Sequence, residues 1–186
     1  MSNQSISAGS SRQKTKILCE GAVMVAAAVA LSYLKIQFLQ AGSINFAMIP
    51  VIIFAVRWGL GWGVAAGAAY GTLKFFLAGG VAINLASMLL DYTVAYAMVG
   101  VAGLCKGRKW GFPLGAFAGC LARFVVHFIT GITIYKILVP TEVMGMTVSN
   151  PYLFSVLYNI SYMGPNTVIS VATCLLLDKP LKRLPQ

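Results

Sequence analysis

A chain of 186 residues that is 59% hydrophobic and only 10% charged, with a mean hydropathy of +0.82, lies outside the range of soluble globular proteins. It reads as an all-α integral membrane protein. A formal net charge of +10 would suggest a nucleic-acid partner for a soluble chain, but here the basic residues follow the ends of apolar runs, which argues against nucleic acid and for a bilayer.

Residues 1–15 are polar and Ser-rich and read as a tail, disordered or derived from a tag. Apolar runs then follow at 17–34, 44–56, 60–77, 81–104, 112–138 and 153–177, and residues 179–186 form a basic tail. A spanning helix needs about 20 apolar residues, so these runs predict six transmembrane helices within a single membrane domain over 16–178. The first run resembles a signal peptide, yet the apolar runs behind it favour an uncleaved first helix. Run 44–56 is short and contains Pro50, which predicts a kinked or partly re-entrant span. If the N-terminus is cytoplasmic, Arg12, Lys14, Lys16, Arg57, Lys106, Arg108, Lys109, Lys179, Lys182 and Arg183 fall inside, and only Lys35, Lys74 and Lys136 outside. This positive-inside bias predicts a multi-pass protein of the cell membrane with both termini cytoplasmic.

Small residues recur every four positions at Ala22, Ala26 and Ala30, at Gly59, Gly63, Gly67 and Gly71, and at Gly111, Gly115 and Gly119. Each stripe lets another backbone approach closely. For the glycine stripes, packing inside the bundle is the expectation; the alanine stripe on the terminal helix could equally face a partner subunit. Cys19, Cys105, Cys120 and Cys174 have no C-x-x-C spacing and read as buried free thiols. The longer connections, 35–43 and 136–151, are predicted outside and are either lids or plain connectors.

Three polar residues stand out because each lies within a different apolar run: Asp91, His127 and Asn159. At about 1.5 Å of rise per residue, they sit about 15, 14 and 9 Å from the outer ends of their segments, nearly level with one another. Polar groups in hydrocarbon are costly unless paired or lining a cavity, so this coincidence predicts a site for a polar small molecule. Asn84, Asp91 and Tyr92 share a predicted helix face, as do Arg123, His127, Thr130 and Tyr135, and Ser155, Asn159, Tyr162 and Asn166. Pro165 is expected to bend the last helix around the cavity. A lone carboxylate beside Tyr92, with Tyr70 and Tyr135 at reachable depth, suits a cationic aromatic ligand. The competing reading is an Asp91–Arg123 ion pair that merely holds two helices together. A single histidine cannot build a multi-histidine metal centre. No P-loop and no nucleophile elbow occur either, so no metal, nucleotide or catalytic site is expected in this chain.

The run FSVLYNISYMGP at 154–165, with RFVVHF at 123–128, MIPVIIFAVR at 48–57 and the pair Asp91-Tyr92, resembles the thiamine-specific substrate-binding subunit of energy-coupling-factor transporters. The resemblance covers about residues 16–178. It implies a non-enzymatic subunit that captures thiamine from outside, with a transmembrane coupling subunit and two cytoplasmic ATPase subunits as partners. ATP would be used by those partners and no cofactor by this chain. By position, it implies ligand contacts from Asp91, Tyr92, His127, Asn159, Tyr135, Tyr70, Phe154 and Asn84, and a contact of Ala22, Ala26 and Ala30 with the coupling subunit. The family usually has Glu where this chain has Asp91, Trp at Tyr135 and Tyr at Phe154. Those differences leave open a thiamine precursor or another small heteroaromatic ligand in the same transporter class. An intramembrane enzyme using Asp91 and His127 as acid and base is the third reading.

Overall fold

The computed structural model describes residues 2–38, 42–134, 141–143 and 145–183, and the protein is mostly helical. In chain order the elements are α1 (Ser2–Tyr33), β1 (Lys35–Phe38), β2 (Gly42–Asn45), α2 (Met48–Trp58), α3 (Leu60–Leu77) and α4 (Leu85–Cys105). After α5 (Gly111–Thr133) come β3 (Thr141–Val143), β4 (Met146–Val148) and α6 (Pro151–Lys182). Among the described residues, four helices can cross a membrane by length and composition: α1 over Ser11–Tyr33, α4, α5 and α6. The helix of α1 begins at Ser2 and that of α6 ends at Lys182, so residues expected in the two tails continue the terminal helices.

The outward faces account for the composition. On α5, Leu114, Phe117, Leu121, Val125 and Ile129 are exposed, whereas Gly115, Gly119, Arg123, His127 and Thr130 are buried. Apolar outside and polar inside is the arrangement that hydrocarbon surroundings favour, since buried polar groups there satisfy one another while lipid meets only apolar carbon.

The run 44–56 is not one span. Ile44 and Asn45 belong to β2, which pairs antiparallel with β1 through Ile36 opposite Ile44 and Lys35 opposite Asn45. Helix α2 starts only at Met48 and has 11 residues, all buried. Pro50 lies in its first turn, where the missing N–H has no helical partner to lose, so it causes no break. The hairpin reaches well into the bundle: the Asn45 backbone N–H donates to Asn166 Oδ1 (3.0 Å), and Asn166 Nδ2 donates to the Ser43 carbonyl (2.8 Å). Asn166 lies about 22 Å along α6 from Pro151. A second hairpin, β3–β4, pairs Glu142 with Thr147, so both long connections carry strand structure.

Both glycine stripes pack inside the bundle. A Cβ on Gly67 would lie 2.1 Å from the Tyr96 carbonyl oxygen, and one on Gly71 2.2 Å from that of Tyr92, so α3 rides directly on the backbone of α4. Gly115 and Gly119 do the same for α5 against Ala102 and Val99 of α4. Gly59, with φ +98°, makes the turn from α2 to α3 that an L side chain would strain. The alanines of α1 behave differently: Ala22, Ala26 and Ala30 are all exposed. Of the cysteines expected to be buried, Cys19 is exposed on α1; Cys105, Cys120 and Cys174 are buried, and all four are free thiols.

The two ends of the bundle differ chemically. At the basic end, Arg57 pairs with Glu20 of α1 (2.8 Å), Lys16 lies 5.9 Å from the centre of the Trp58 ring, and Lys182 bonds the Lys109 carbonyl. At the hairpin end, the Tyr33 hydroxyl donates to the Leu77 carbonyl (2.5 Å) and Lys35 Nζ to that of Ala78 (3.3 Å).

Candidate functional site

The carboxylate expected to be the centre of the site lies on an irregular turn. Helix α4 opens on an α-helical turn capped by Asn84, whose side chain accepts from the Ser87 N–H (2.8 Å), then widens into a π-helical segment over Leu89–Val94. Asp91 and Tyr92 both lie on that segment. Wide turns of this kind recur at functional sites, because the extra residue re-aims side chains. It also shifts the helical register, so the seven-residue spacing that aligned Asn84 with Asp91 in sequence is interrupted; Asn84 is exposed and engaged as the cap.

Helices α4, α5 and α6 bring the three key residues together. His127 Nδ1 lies 2.9 Å from Asp91 Oδ1, with the two side chains 10% and 12% exposed. On the other side of the ring, Arg123 Nε donates to His127 Nε2 (3.2 Å). A guanidinium can only donate, so Nε2 must accept, and the proton of the neutral ring resides on Nδ1, facing the carboxylate. Asn159 Nδ2 lies 3.5 Å from the His127 carbonyl and donates to that of Ser155 (2.8 Å), while its Oδ1 accepts from the Tyr162 hydroxyl (2.8 Å). Gly131 permits this crossing, since a Cβ there would meet Ser155 Oγ at 2.1 Å, and that hydroxyl donates to the Phe128 carbonyl (3.1 Å).

The Asp91–Arg123 ion pair considered from sequence is replaced by a relay in which His127 stands between cation and anion. The i, i+4 spacing of Arg123 and His127 puts both on one face of α5, and the guanidinium is anchored elsewhere. It lies 4.2 Å from the centre of the Tyr96 ring and bonds Met48 Sδ at 3.0 Å. Lys74 of α3 binds the hydroxyl of that same Tyr96. Tyr96 and Met48 are therefore parts of the site's wall that sequence reasoning did not single out. The signal for Tyr96 was present in its position four residues after Tyr92. If the relay sets the tautomer, 15N spectra of the protein will show one neutral Nδ1–H form for His127. In Arg123→Met that form should persist, because the Asp91 carboxylate still requires a proton on Nδ1, while about 1–3 kcal/mol of stability is lost for the vacated Nε2 acceptor.

The other predicted contacts are distributed around this centre. Tyr92 packs edge-on against Phe75 (5.1 Å) and its hydroxyl is held by the backbone N–H of Val81 (2.7 Å). Phe154 stacks on Tyr158 (5.7 Å), which meets Tyr162 edge-on (5.8 Å), so α6 presents an aromatic ladder beside Asn159. Tyr70 is fully buried, its hydroxyl against Ser32 (2.7 Å) and its ring edge-on to Tyr96 (4.8 Å), so it links α1, α3 and α4. Tyr135 lies outside the described residues. Helix α6 continues through Pro165 without interruption. Among the described residues, no His, Cys, Asp and Glu side chains group so as to hold a metal ion.

A sequence model of the thiamine transporter protein family (Thia_YuaJ) matches residues 18–186. The chain belongs to this family. Among its relatives, the thiamine transporter ThiT of Bacillus subtilis (strain 168) is 32% identical over 176 residues, covering 86% of this chain and 88% of that protein. The ThiT of Lacticaseibacillus paracasei is 26% identical over 172 residues, covering 83% of each. The solved structure of ThiT from Listeria monocytogenes shares the fold, with a TM-score of 0.71 at 20% identity, over 91% of this chain and 95% of that one. Membership of a family of transporters sets aside the intramembrane-enzyme reading and, with the apolar helices, makes this a multi-pass protein of the cell membrane.

Proposed function

We propose that this chain is the thiamine-binding subunit of an ATP-driven energy-coupling-factor importer, taking its ligand where α4, α5 and α6 meet. The observation that carries this reading is the convergence of Asp91, His127 and Asn159 in a member of the thiamine transporter family. In this reading Asp91 supplies the negative charge that a cationic thiazolium or an aminopyrimidine requires, Asn159 supplies directional hydrogen bonds, His127, whose two ring nitrogens are engaged by Asp91 and Arg123, holds the carboxylate at the ligand, and Tyr92, Phe154 and Tyr158 supply ring faces. Asp91 and His127 lie nearer the hairpin end of their helices, which this reading takes as the outer side, with the Arg/Lys-rich end and both termini cytoplasmic. In a six-span arrangement, α2 together with the inserted β1–β2 hairpin serves as the second span and α3 as the third. Calorimetry on purified protein should give one thiamine per chain, and mass spectrometry of the bound molecule should recover it chemically intact. A preference for one of the two ring precursors over thiamine would instead support the alternative ligand, a reading favoured by the short Asp91 side chain being held by His127.

Energy coupling requires a partner surface, and the exposed face of α1 suits one. Ala22, Ala26 and Ala30 lie at four-residue spacing and are all exposed, so a partner helix can approach the backbone of α1 closely. Ala26→Trp is expected to abolish co-purification with the transmembrane coupling subunit and its two ATPases while leaving thiamine affinity unchanged. Intact assembly of that variant would remove α1 from the interface.

A further inference from the structure

At the basic end, a cavity of about 450 Å³ opens between the last turns of α2 and α6 and the first turn of α5. Arg57, Arg108, Lys109 and Lys182 line it together with Gly111 and Phe112. The acids nearby are already engaged: Glu20 holds Arg57 at 2.8 Å and Asp178 holds Lys182 at 2.5 Å. That leaves a positive excess carried by Arg108 and Lys109, both of which are exposed. Gly111 begins the 23-residue helix α5, whose dipole directs its positive end toward the cavity. None of this is used by the ligand site, which lies toward the other end of the same helices.

The surroundings identify the kind of anion. Trp110, which is exposed, and the half-buried Trp62 lie in or beside the first helix turns of this end, the placement that marks the headgroup level of a bilayer. One turn deeper from the cavity, Leu114 on α5 and Leu177 on α6 are exposed, and Phe117 and Leu176 beside them offer apolar surface suited to acyl chains. The cavity volume is within the range of small-molecule sites, about 300–1,000 Å³. We propose that this cavity binds the phosphate of an anionic phospholipid from the leaflet at the basic end, with Arg108 and Lys109 as its principal contacts and Arg57 and Lys182 as its fixed rear wall.

Native mass spectrometry of the full chain, released from vesicles containing equal amounts of phosphatidylglycerol and phosphatidylcholine, tests the assignment. The expected result is one retained phosphatidylglycerol per chain. Basic residues at a membrane surface each contribute about a fivefold change in anionic-lipid affinity, so Arg108→Gln together with Lys109→Gln should reduce retention about 30-fold. Calorimetric thiamine binding should remain intact in that variant, which shows that the bundle is still folded. Inorganic phosphate at the same concentration should displace no lipid. Equal retention of both lipids, undiminished retention in the double variant, or displacement by free phosphate would each overturn the proposal.

Discussion

Asp91→Asn is expected to weaken thiamine binding by about 2–5 kcal/mol, or about 30- to several-thousand-fold, with little change in the fold. The substitution isolates charge from geometry. His127 presents its Nδ1–H to Asp91 Oδ1 at 2.9 Å, and an asparagine carbonyl oxygen in the same place can accept that bond. The relay from Arg123 through His127 therefore survives, and only the counter-charge for a cationic ligand is removed. Both side chains of the pair are about nine-tenths buried, so the lost charge interaction is only weakly screened by water. Calorimetry is the appropriate readout, because Trp58, Trp62 and Trp110 are at the opposite end of the helices from the site and their emission is a poor reporter of binding. An affinity unchanged in Asp91→Asn would remove the carboxylate from the ligand contacts and leave the Asp91–His127 pair as a structural link between α4 and α5.

What could be read from the sequence follows the range of the forces involved. The apolar runs located α4, α5 and α6 to within about five residues and the end of α1 to within one, because span length follows local hydropathy, whereas α1 itself starts well before its run, at Ser2. The meeting of Asp91, His127 and Asn159 was legible for a related reason: groups costly in hydrocarbon must find one another, and only level groups can. The hairpins were not legible. Ile44 and Asn45 sit in a short apolar run whose periodicity cannot separate strand from helix, and what selects strand is pairing with Lys35 and Ile36 and a tether to Asn166, contacts remote in sequence. The π-helical turn at Asp91 leaves no compositional trace either. For Tyr70 depth was legible but azimuth was not, and so the sequence did not reveal that its ring packs edge-on against Tyr96.

The glycines of α3 connect that packing to the site, and Gly71→Ala should damage both. A Cβ at residue 71 would lie 2.2 Å from the Tyr92 carbonyl oxygen and 2.8 Å from its carbon, both backbone atoms, so no side-chain rotation can relieve the contact. Helix α4 would have to move away by about 1 Å, at a cost of about 1–3 kcal/mol for overpacking. The displaced segment is the π-helical turn that carries Asp91, and a shift of that size is enough to lengthen its bond to His127 beyond hydrogen-bonding range. Gly71→Ala is thus expected to lower the unfolding temperature and to weaken thiamine binding at least tenfold, whereas Gly67→Ala, which meets the Tyr96 carbonyl at 2.1 Å one turn further along, should cost similar stability with a smaller effect on affinity. Gly61→Ala supplies the control on the same helix. Nothing lies within 4 Å of its added methyl group, so it should be neutral or slightly stabilising through the better helix propensity of alanine. If Gly71→Ala matched Gly61→Ala in both unfolding and calorimetry, the α3–α4 contact would not be what holds the carboxylate in place, and the position of Asp91 would have to be attributed to α5 and His127 alone.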